Sequence, residues 1–405
     1  MERVVVVGGG QAGLSVVSKL RALDYSGKIT MICGEPELPY QRPPLSKKYL
    51  TGEMEKTRLY LRQQSYYTEN DIDLMLGIRC EEIDLNASCV KANGQSIPYD
   101  HLVLTTGSHP TKLPARLGGD LGGLYYIRDL ADITALQPEL EENRKVLVVG
   151  GGFIGLETAS ALISKGLQVT IVEAAERIMQ RVVAPETSAY FRNLHTSKGA
   201  RLLEGVGLKQ LEGEKRVRKA VLSNDDELDV DFVIVGIGVQ PGDTLAKEAG
   251  LDISNGIRVN AKGQTSHPNI WASGDCTSFP WQDTFIRLES VQNAIDQSET
   301  VAENIMGTDK DYKFVPWFWT DQYEAKLQIS GLGIGYTSII TRQGNLEDSV
   351  SFWYMRDDDL IAVDAINDPR SYMVGKRILE QGINVDPETL RNPNSDLKQL
   401  LRSNR

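Results

Sequence analysis

The pattern Gly-x-Gly-x-x-Gly occurs twice in this chain, as GGGQAG at 8–13 and as GGGFIG at 150–155. Each copy follows a nearly all-aliphatic run, RVVVV at 3–7 and KVLVV at 145–149, of the kind that forms a strand buried on both faces. Apolar residues then recur at helical spacing after the first copy, at Leu14, Val16, Val17 and Leu20, and an apolar helix follows the second through Leu162 and Ile163. In that context the glycines have distinct tasks. The first (Gly8, Gly150) permits a tight turn, the second (Gly10, Gly152) lets backbone approach a pyrophosphate, and the third (Gly13, Gly155) lets helix and strand pack closely. The bare N–H groups at the helix start face the phosphates. A second strand in each copy, at 29–32 and 169–172, leads to an acid, Glu35 or Glu173, able to accept hydrogen bonds from a ribose hydroxyl. One such motif arises readily by chance, but a tandem repetition in context does not. It predicts two dinucleotides held so that their reactive ends meet.

The intervening sequence gives further expectations. In LPYQRPPLSKKYL at 38–50 the prolines forbid regular helix until about Leu45, and Arg42 and Lys47 flank the rigid turn. These cations either face a pyrophosphate or an electron-rich ring, or are solvated loop charges. Residues 60–70 read as a helix, and short strands alternate with turns from Ile72 to Leu104, with Asn93-Gly94 as a hairpin signal. A buried strand at 101–107 ends at Gly107, and Pro110 and Pro114 mark an exit linker. Residues 190–230 read as a helix and a hairpin around Asn224-Asp225, followed by strands at 231–235 and 256–260. At 269–275 a strand ends in Ser273-Gly274-Asp275, where the aspartate suits either a sugar-type hydroxyl or a simple Asp turn. A helix from Ser290 to about Met306 presents N–H groups to negative charge, with Ser290 also placed as its cap. From Phe314 the composition changes to an aromatic segment, strand-like runs at 327–340, 349–356 and 360–366, and helices at about 371–382 and near Leu397. Trp317 reads as core and Trp319 as a flat wall beside a cofactor.

The expected fold class is α/β, with two Rossmann-like dinucleotide-binding domains and a C-terminal α+β domain. The expected boundaries are 1–110 with 240–313 for the first nucleotide domain, 111–239 for the second and 314–405 for the third. Glu173 favours NADH, because a carboxylate repels a 2′-phosphate, although Arg177 and Arg181 lie just beyond and leave a phosphate contact open.

Charge and cysteine usage exclude other classes. A net charge of −11 disfavours nucleic acid as the main partner. Cys33, Cys80, Cys89 and Cys276 are scattered, with no CxxC or CxxxxC pair, which argues against a disulfide scaffold, a zinc site and a dithiol redox centre. His101, His109, His195 and His267 are equally scattered, and each reads as a surface or packing residue. No apolar run approaches a membrane span, and the chain starts on a core strand, so a cytoplasmic location is expected.

The segments PYQRPPLSK at 39–47, GGGFIGLETA at 150–159, ASGDC at 272–276, RLESVQNA at 287–294 and WFWTDQY at 317–323 are more specific than the glycine motifs. Through them the whole chain resembles the two-dinucleotide-domain flavoprotein reductases of the putidaredoxin reductase-like group, the NADH:ferredoxin reductases that serve bacterial oxygenases. The resemblance implies FAD in the first domain and NADH in the second, hydride transfer to flavin, and single-electron delivery to a [2Fe–2S] ferredoxin. It implies FAD contacts from Gly8, Gly10, Ala12, Gly13, Glu35, Arg42, Lys47, Cys80, Thr106, Gly107, Arg128, Asp275, Val291 and Trp319. It implies NADH contacts from Gly150, Gly152, Phe153, Ile154, Gly155, Glu157, Glu173, Arg181, Gly238 and Glu289. Lys47 and Glu157 would pair near flavin N5, and with Trp319 would form the catalytic set. Relatives often carry two successive acids at the first ribose position; here Gly34 precedes Glu35, which is left to bind ribose alone. NADH oxidases and peroxidases of the superfamily need a thiol where this chain has Leu45-Ser46-Lys47-Lys48. The remaining alternatives are a rubredoxin or quinone-type reductase and, in another class, a nucleotide-sensing interaction protein. A monomer or weak homodimer is expected.

Overall fold

The computed structural model describes residues 2–393 and 395–401. They form two compact units: residues up to Arg42, Lys56–His109 and Val239–Phe314 in one, and Pro43–Glu55, Pro110–Gly238 and the chain from Val315 on in the other.

The first unit is built on a five-stranded sheet, with the strands in the order Ile270–Ala272, His101–Leu104, Arg3–Val7, Lys28–Cys33 and Ile72–Leu76, every neighbouring pair parallel. Val4, Val5 and Val6 are buried, as a central parallel strand requires. The Gln11–Ala22 helix packs on this sheet and against the Val291–Ile305 helix, and its Leu14, Val16, Val17 and Leu20 enter a core shared with Val301 and Ala302. A smaller antiparallel sheet joins Cys80–Asp84, Cys89–Ala92 and Gln95–Pro98, and the turn at Asn93 (φ 49°) and Gly94 (φ 68°) is the hairpin the sequence signals. The expected helix at 60–70 is shorter, Gln64–Glu69. Residues 59–61 are drawn into extended pairing with 39–41, where Gln41 N–H donates to the Leu59 carbonyl and Leu61 N–H to that of Pro39, so their backbone groups are spent outside a helix.

The second unit repeats the parallel plan. Arg201–Glu204, Gln168–Glu173, Lys145–Val149, Phe232–Val235 and Leu124–Tyr125 lie side by side, all parallel. The edge strand Arg201–Glu204 falls within the stretch read as helix and hairpin only, and the helix there begins earlier, at Pro185. An antiparallel five-stranded sheet follows, ordered Trp317–Gln322, Ala325–Gly331, Asp359–Ile366, Val350–Arg356 and Ser338–Gln343. Its first strand is the aromatic segment, and the run expected at 327–340 is two strands broken after Gly331, whose φ of 82° turns the chain. The Pro369–Gln381 helix seals the sheet with Val374 and Ile378 against Trp353 and Val363. Helices Pro387–Arg391 and Leu397–Leu400 close the described chain, the first of them beyond what the sequence suggested.

Candidate active site

In the first unit the glycine turn sits at the C-terminal end of the parallel sheet. A Cβ on Gly13 would lie 2.1 Å from the Gly8 carbonyl oxygen, and Gly8 itself has a φ of 130°. These two positions therefore require glycine for backbone reasons. Gly10 is different: a Cβ there would meet nothing within 4 Å, and the helix that starts after it has no side-chain cap. Open space and unsatisfied N–H groups lie where a pyrophosphate needs them. Distant segments converge here. Thr105 donates to the carbonyls of Val7 and Gly8, Thr106 to that of Gly242, and a Cβ on Gly274 would lie 3.0 Å from the Ala12 methyl. Asp275 accepts from the Ser108 hydroxyl at 3.2 Å, next to Gly107.

Glu35 is held by two groups from the proline-rich segment: Arg42 donates to Oε1 at 2.5 Å, and the Tyr40 hydroxyl to Oε2 at 2.5 Å. The turn carrying Arg79 and Cys80 lies alongside, since Gly77 N–H donates to the Glu35 carbonyl and Ile78 N–H to that of Cys33. Burial pushes the Cys80 thiol up to about 11, so it stays protonated. At the Val291–Ile305 helix the Ser290 side chain accepts from Asn293 N–H at 3.0 Å, so the serine is the cap and Val291 opens the helix. Glu289, just before it, is ion-paired with Arg287.

In the second unit Gly150 (φ 109°) and Gly155 repeat the backbone requirement, a Cβ on Gly155 lying 2.1 Å from the Gly150 carbonyl oxygen. Gly152 faces open space, and the Phe153–Ser164 helix starts uncapped, with Ile154 exposed beside the turn. Glu173 turns back onto this loop and accepts from Gly151 N–H at 2.7 Å and from Ala175 N–H at 2.8 Å. Arg177 is tied inward to the Ser188 hydroxyl at 2.6 Å, whereas Arg181 is exposed with its guanidinium beside Gly238. Arg128 belongs to this unit, directly before the Leu130–Leu136 helix, where its N–H is received by the capping carboxylate of Asp132.

The same unit contains a buried ion pair. Lys47 Nζ lies 2.7 Å from Glu157 Oε1, the two side chains 17% and 7% exposed. Glu157 also accepts from Ser46 Oγ at 2.6 Å and Thr320 Oγ1 at 2.7 Å, so both of its oxygens are satisfied by three donors. A carboxylate this buried requires such a shell, because desolvation of an unpaired charge costs several kcal/mol. The rigid Pro43–Ser46 turn presents Ser46 and Lys47, and the Phe153–Ser164 helix presents Glu157 one turn after the glycines. Trp319 is the neighbour of Thr320 in its strand, and alternation points it to the opposite face, where it lies 5.4 Å from Trp317 with part of its surface exposed. Lys47 and Glu157 are thus brought together, whereas Trp319 lies on the other face of the strand from Thr320 and packs beside Trp317. Ser46 and Thr320 escaped the sequence reading. Ser46 lay inside the PPLSK segment as a possible signal, while Thr320 is a single hydroxyl in an aromatic strand and carries none.

None of the four cysteines is in a disulfide. Burial raises the Cys276 thiol, and the Cys33 thiol is pushed up to about 12 by burial and then by Glu35.

Comparison with known proteins places these features in context. The family model described as pyridine nucleotide-disulphide oxidoreductase matches residues 2–298, and a reductase C-terminal model matches residues 317–401. A ferredoxin–NAD(P)+ reductase of Sphingomonas sp is 40% identical over 98% of this chain and 97% of its own length. Putidaredoxin reductase of Pseudomonas putida is 35% identical over 99% of this chain and 97% of its own. Among solved structures, the covalent putidaredoxin reductase–putidaredoxin complex superimposes with a TM-score of 0.95 at 35% identity, covering 99% of this chain and 98% of that one. The ferredoxin reductase for the CYP199A2 system from Rhodopseudomonas palustris gives a TM-score of 0.95 at 38% identity, covering 98% and 99%.

Proposed function

Because the chain belongs to the pyridine nucleotide-disulphide oxidoreductase family, we propose that it is an FAD-dependent oxidoreductase that passes electrons from NADH to a [2Fe–2S] ferredoxin feeding an oxygenase. The observation that carries the reading is the pair of open, uncapped helix starts in a chain without a thiol pair. Electrons then have no internal disulfide to reduce and must leave to an external acceptor. Relatives that are ferredoxin reductases over their full length support the identity of that acceptor.

In this reading residues 1–110 and 240–313 hold FAD, 111–239 hold NADH, and 314–405 form the third domain. FAD, when bound, supplies the conversion of a two-electron hydride into single electrons. The chain's own residues bind and orient. Gly8, Gly10 and Gly13 admit the pyrophosphate, Glu35 takes the adenosine ribose, and Asp275 a ribityl hydroxyl. The N-terminus of the Val291–Ile305 helix stabilises negative charge on the ring. Glu173 takes the second ribose and selects NADH. Lys47, neutralised by Glu157, fixes the charge beside the reacting rings, and Trp319 walls the nicotinamide side. No general base is needed, since a hydride leaves with its electrons. Among the described residues no helix is long and apolar enough to cross a membrane; we place the enzyme in the cytoplasm as a monomer or weak homodimer.

The test is NADH-dependent reduction of cytochrome c by the flavin-loaded protein, with and without a [2Fe–2S] ferredoxin. A rate that appears only with ferredoxin supports the proposal. Bleaching of the flavin with no effect of ferredoxin moves the acceptor to rubredoxin or a quinone, and no bleaching at all overturns the mechanism.

A further inference from the structure

The shell around Glu157 does not end at Thr320. Thr320 and Gln322 share one face of the Trp317–Gln322 strand and are fully buried, as is His195 on the Pro185–Ser197 helix. Gln322 Nε2 donates to Thr320 Oγ1 at 3.2 Å, and its Oε1 faces His195 Nε2 at 2.8 Å. The other imidazole nitrogen, Nδ1, lies 3.2 Å from the Tyr323 hydroxyl. A second tie binds the same strand end to the Phe153–Ser164 helix that carries Glu157, for Tyr323 N–H donates to Ser160 Oγ at 2.8 Å, one turn beyond Glu157.

The chemistry of these groups assigns every proton. A carboxylate can only accept, so the Thr320 hydroxyl must donate to Glu157. Its remaining lone pairs then receive the Gln322 amide N–H, which turns the amide oxygen toward His195. That oxygen can only accept, so His195 carries its proton on Nε2 and offers the Nδ1 lone pair to the Tyr323 hydroxyl. Burial lowers the His195 pKa, consistent with this neutral tautomer. The reversed amide would pull the Thr320 proton away from Glu157 and leave a buried carboxylate short of a donor. The donors all point one way, from Tyr323 through His195, Gln322 and Thr320 to Glu157.

We propose that Thr320, Gln322 and His195 are positioning residues that lock the Glu157 carboxylate in the orientation facing Lys47, and so set the geometry in which NADH meets the flavin. The chain holds and does not conduct, because a proton crossing Gln322 would have to tautomerise its amide. The effect on rate rests on the proposed NADH-to-FAD reaction, whereas the chain itself does not.

Two substitutions at one position separate hydrogen bonding from packing. Thr320→Val keeps the volume and loses the hydroxyl; Thr320→Ser keeps the hydroxyl and loses a methyl. In single-turnover reduction of the FAD-loaded protein by NADH, Thr320→Val should slow bleaching about tenfold and Thr320→Ser by no more than about twofold. A Val variant equal to or faster than the Ser variant overturns the proposal, since it would show that only packing matters. The second readout is the ¹⁵N spectrum of the histidine-labelled holoprotein, with His195 assigned by its loss in His195→Gln. The Nε2–H tautomer is expected, displaced to a mixture in Gln322→Leu; an Nδ1–H tautomer in the unaltered protein overturns the chain. Should NADH fail to bleach the flavin of the unaltered protein, the functional reading falls while the histidine spectrum still decides the chain.

Discussion

The two glycine turns are near copies in backbone, yet the helices that leave them are packed by opposite chemistry. The Gln11–Ala22 helix buries an aliphatic stripe against another helix and keeps Lys19 at the margin, where it meets Glu299 and Glu303. The Phe153–Ser164 helix buries polar groups as well, Glu157 against Lys47 and Thr320, and Ser160 against the Tyr323 N–H. Their acids differ in parallel. Glu35 is clamped by Arg42 and Tyr40, whereas Glu173 is spent on the backbone of its own loop. A fold that is used twice thus keeps the turn, where backbone geometry leaves no choice, and varies what packs on the helix. In the proposed function the apolar version would seat the retained flavin, and the polar version fixes charges at defined points for the nucleotide that comes and goes.

The sharpest way to break this comparison is to fill each turn. A Cβ at Gly13 or at Gly155 would lie 2.1 Å from a carbonyl oxygen of its own turn, so each alanine must displace backbone. Gly13→Ala should yield protein without bound flavin. Gly155→Ala should retain flavin and lose its reduction by NADH, by about a hundredfold or more. Both are read from the visible spectrum before and after NADH. If Gly155→Ala loses flavin and Gly13→Ala keeps it, the two seats are assigned the wrong way round.

Next in size is the contrast between marginal and buried cations. Lys47→Ala leaves Glu157 buried without its counter-ion and should cost about 3 kcal/mol of stability and slow flavin reduction. Lys19→Ala removes a partly exposed partner and should cost about 0.5 kcal/mol. Urea denaturation of the two variants gives both numbers. Equal losses would mean that burial of the Lys47 pair does not distinguish it.

Buried acids should also give the second unit its own pH dependence. Asp364, 1% exposed, accepts from Thr187 at 2.6 Å and from the Tyr354 hydroxyl, and its second oxygen has no partner among the described residues. Burial, partly countered by those two hydroxyls, pushes its carboxyl up to about 7. In the unfolded chain it titrates at its ordinary value near 3.8. Between these values the folded state holds a proton that the unfolded state releases, so rising pH costs stability, and the full cost is present above the folded value. Asp364→Asn cannot ionise. Its stability relative to the unaltered protein should therefore grow by about 3 kcal/mol between pH 5 and pH 8, two pH units of titration at about 1.4 kcal/mol each. A pH-independent difference in thermal midpoint would show that Asp364 is ionised in the folded state throughout.

What was legible in the sequence follows the same divide. The turns, their strands and the acids after them are local patterns within each βαβ unit, and they stand where periodicity and glycine spacing put them. Ser290 as a helix cap is likewise a local signal. The helix at 60–70 shrank because residues 59–61 pair with 39–41, and the strand Arg201–Glu204 went unread because its register is set by Thr170–Glu173 and not by its own alternation. His195, read as a surface or packing residue, is fully buried and doubly hydrogen-bonded. Its partners Gln322 and Tyr323 are remote in sequence and have no spacing relation to it. Polar packing of this kind is invisible until the sheet exists.

The smallest expected effect compares the two acids directly. Glu35→Ala takes one acceptor away from Arg42 and Tyr40 and should appear as weaker retention of FAD. Glu173→Ala acts on discrimination instead. Its carboxylate now sits on the Gly151 and Ala175 N–H groups, where it would oppose a 2′-phosphate while accepting from a ribose hydroxyl. Removing it leaves exposed Arg181 able to meet a phosphate, with Arg177 still tied to Ser188. The ratio of kcat/KM for NADH over NADPH should therefore fall about tenfold, or roughly 1.4 kcal/mol. If the ratio is unchanged while the protein melts lower, Glu173 serves only to brace its loop. The two acids would then differ in kind, one binding ribose and one holding backbone, and the choice between the two nicotinamide cofactors would lie elsewhere in the second turn.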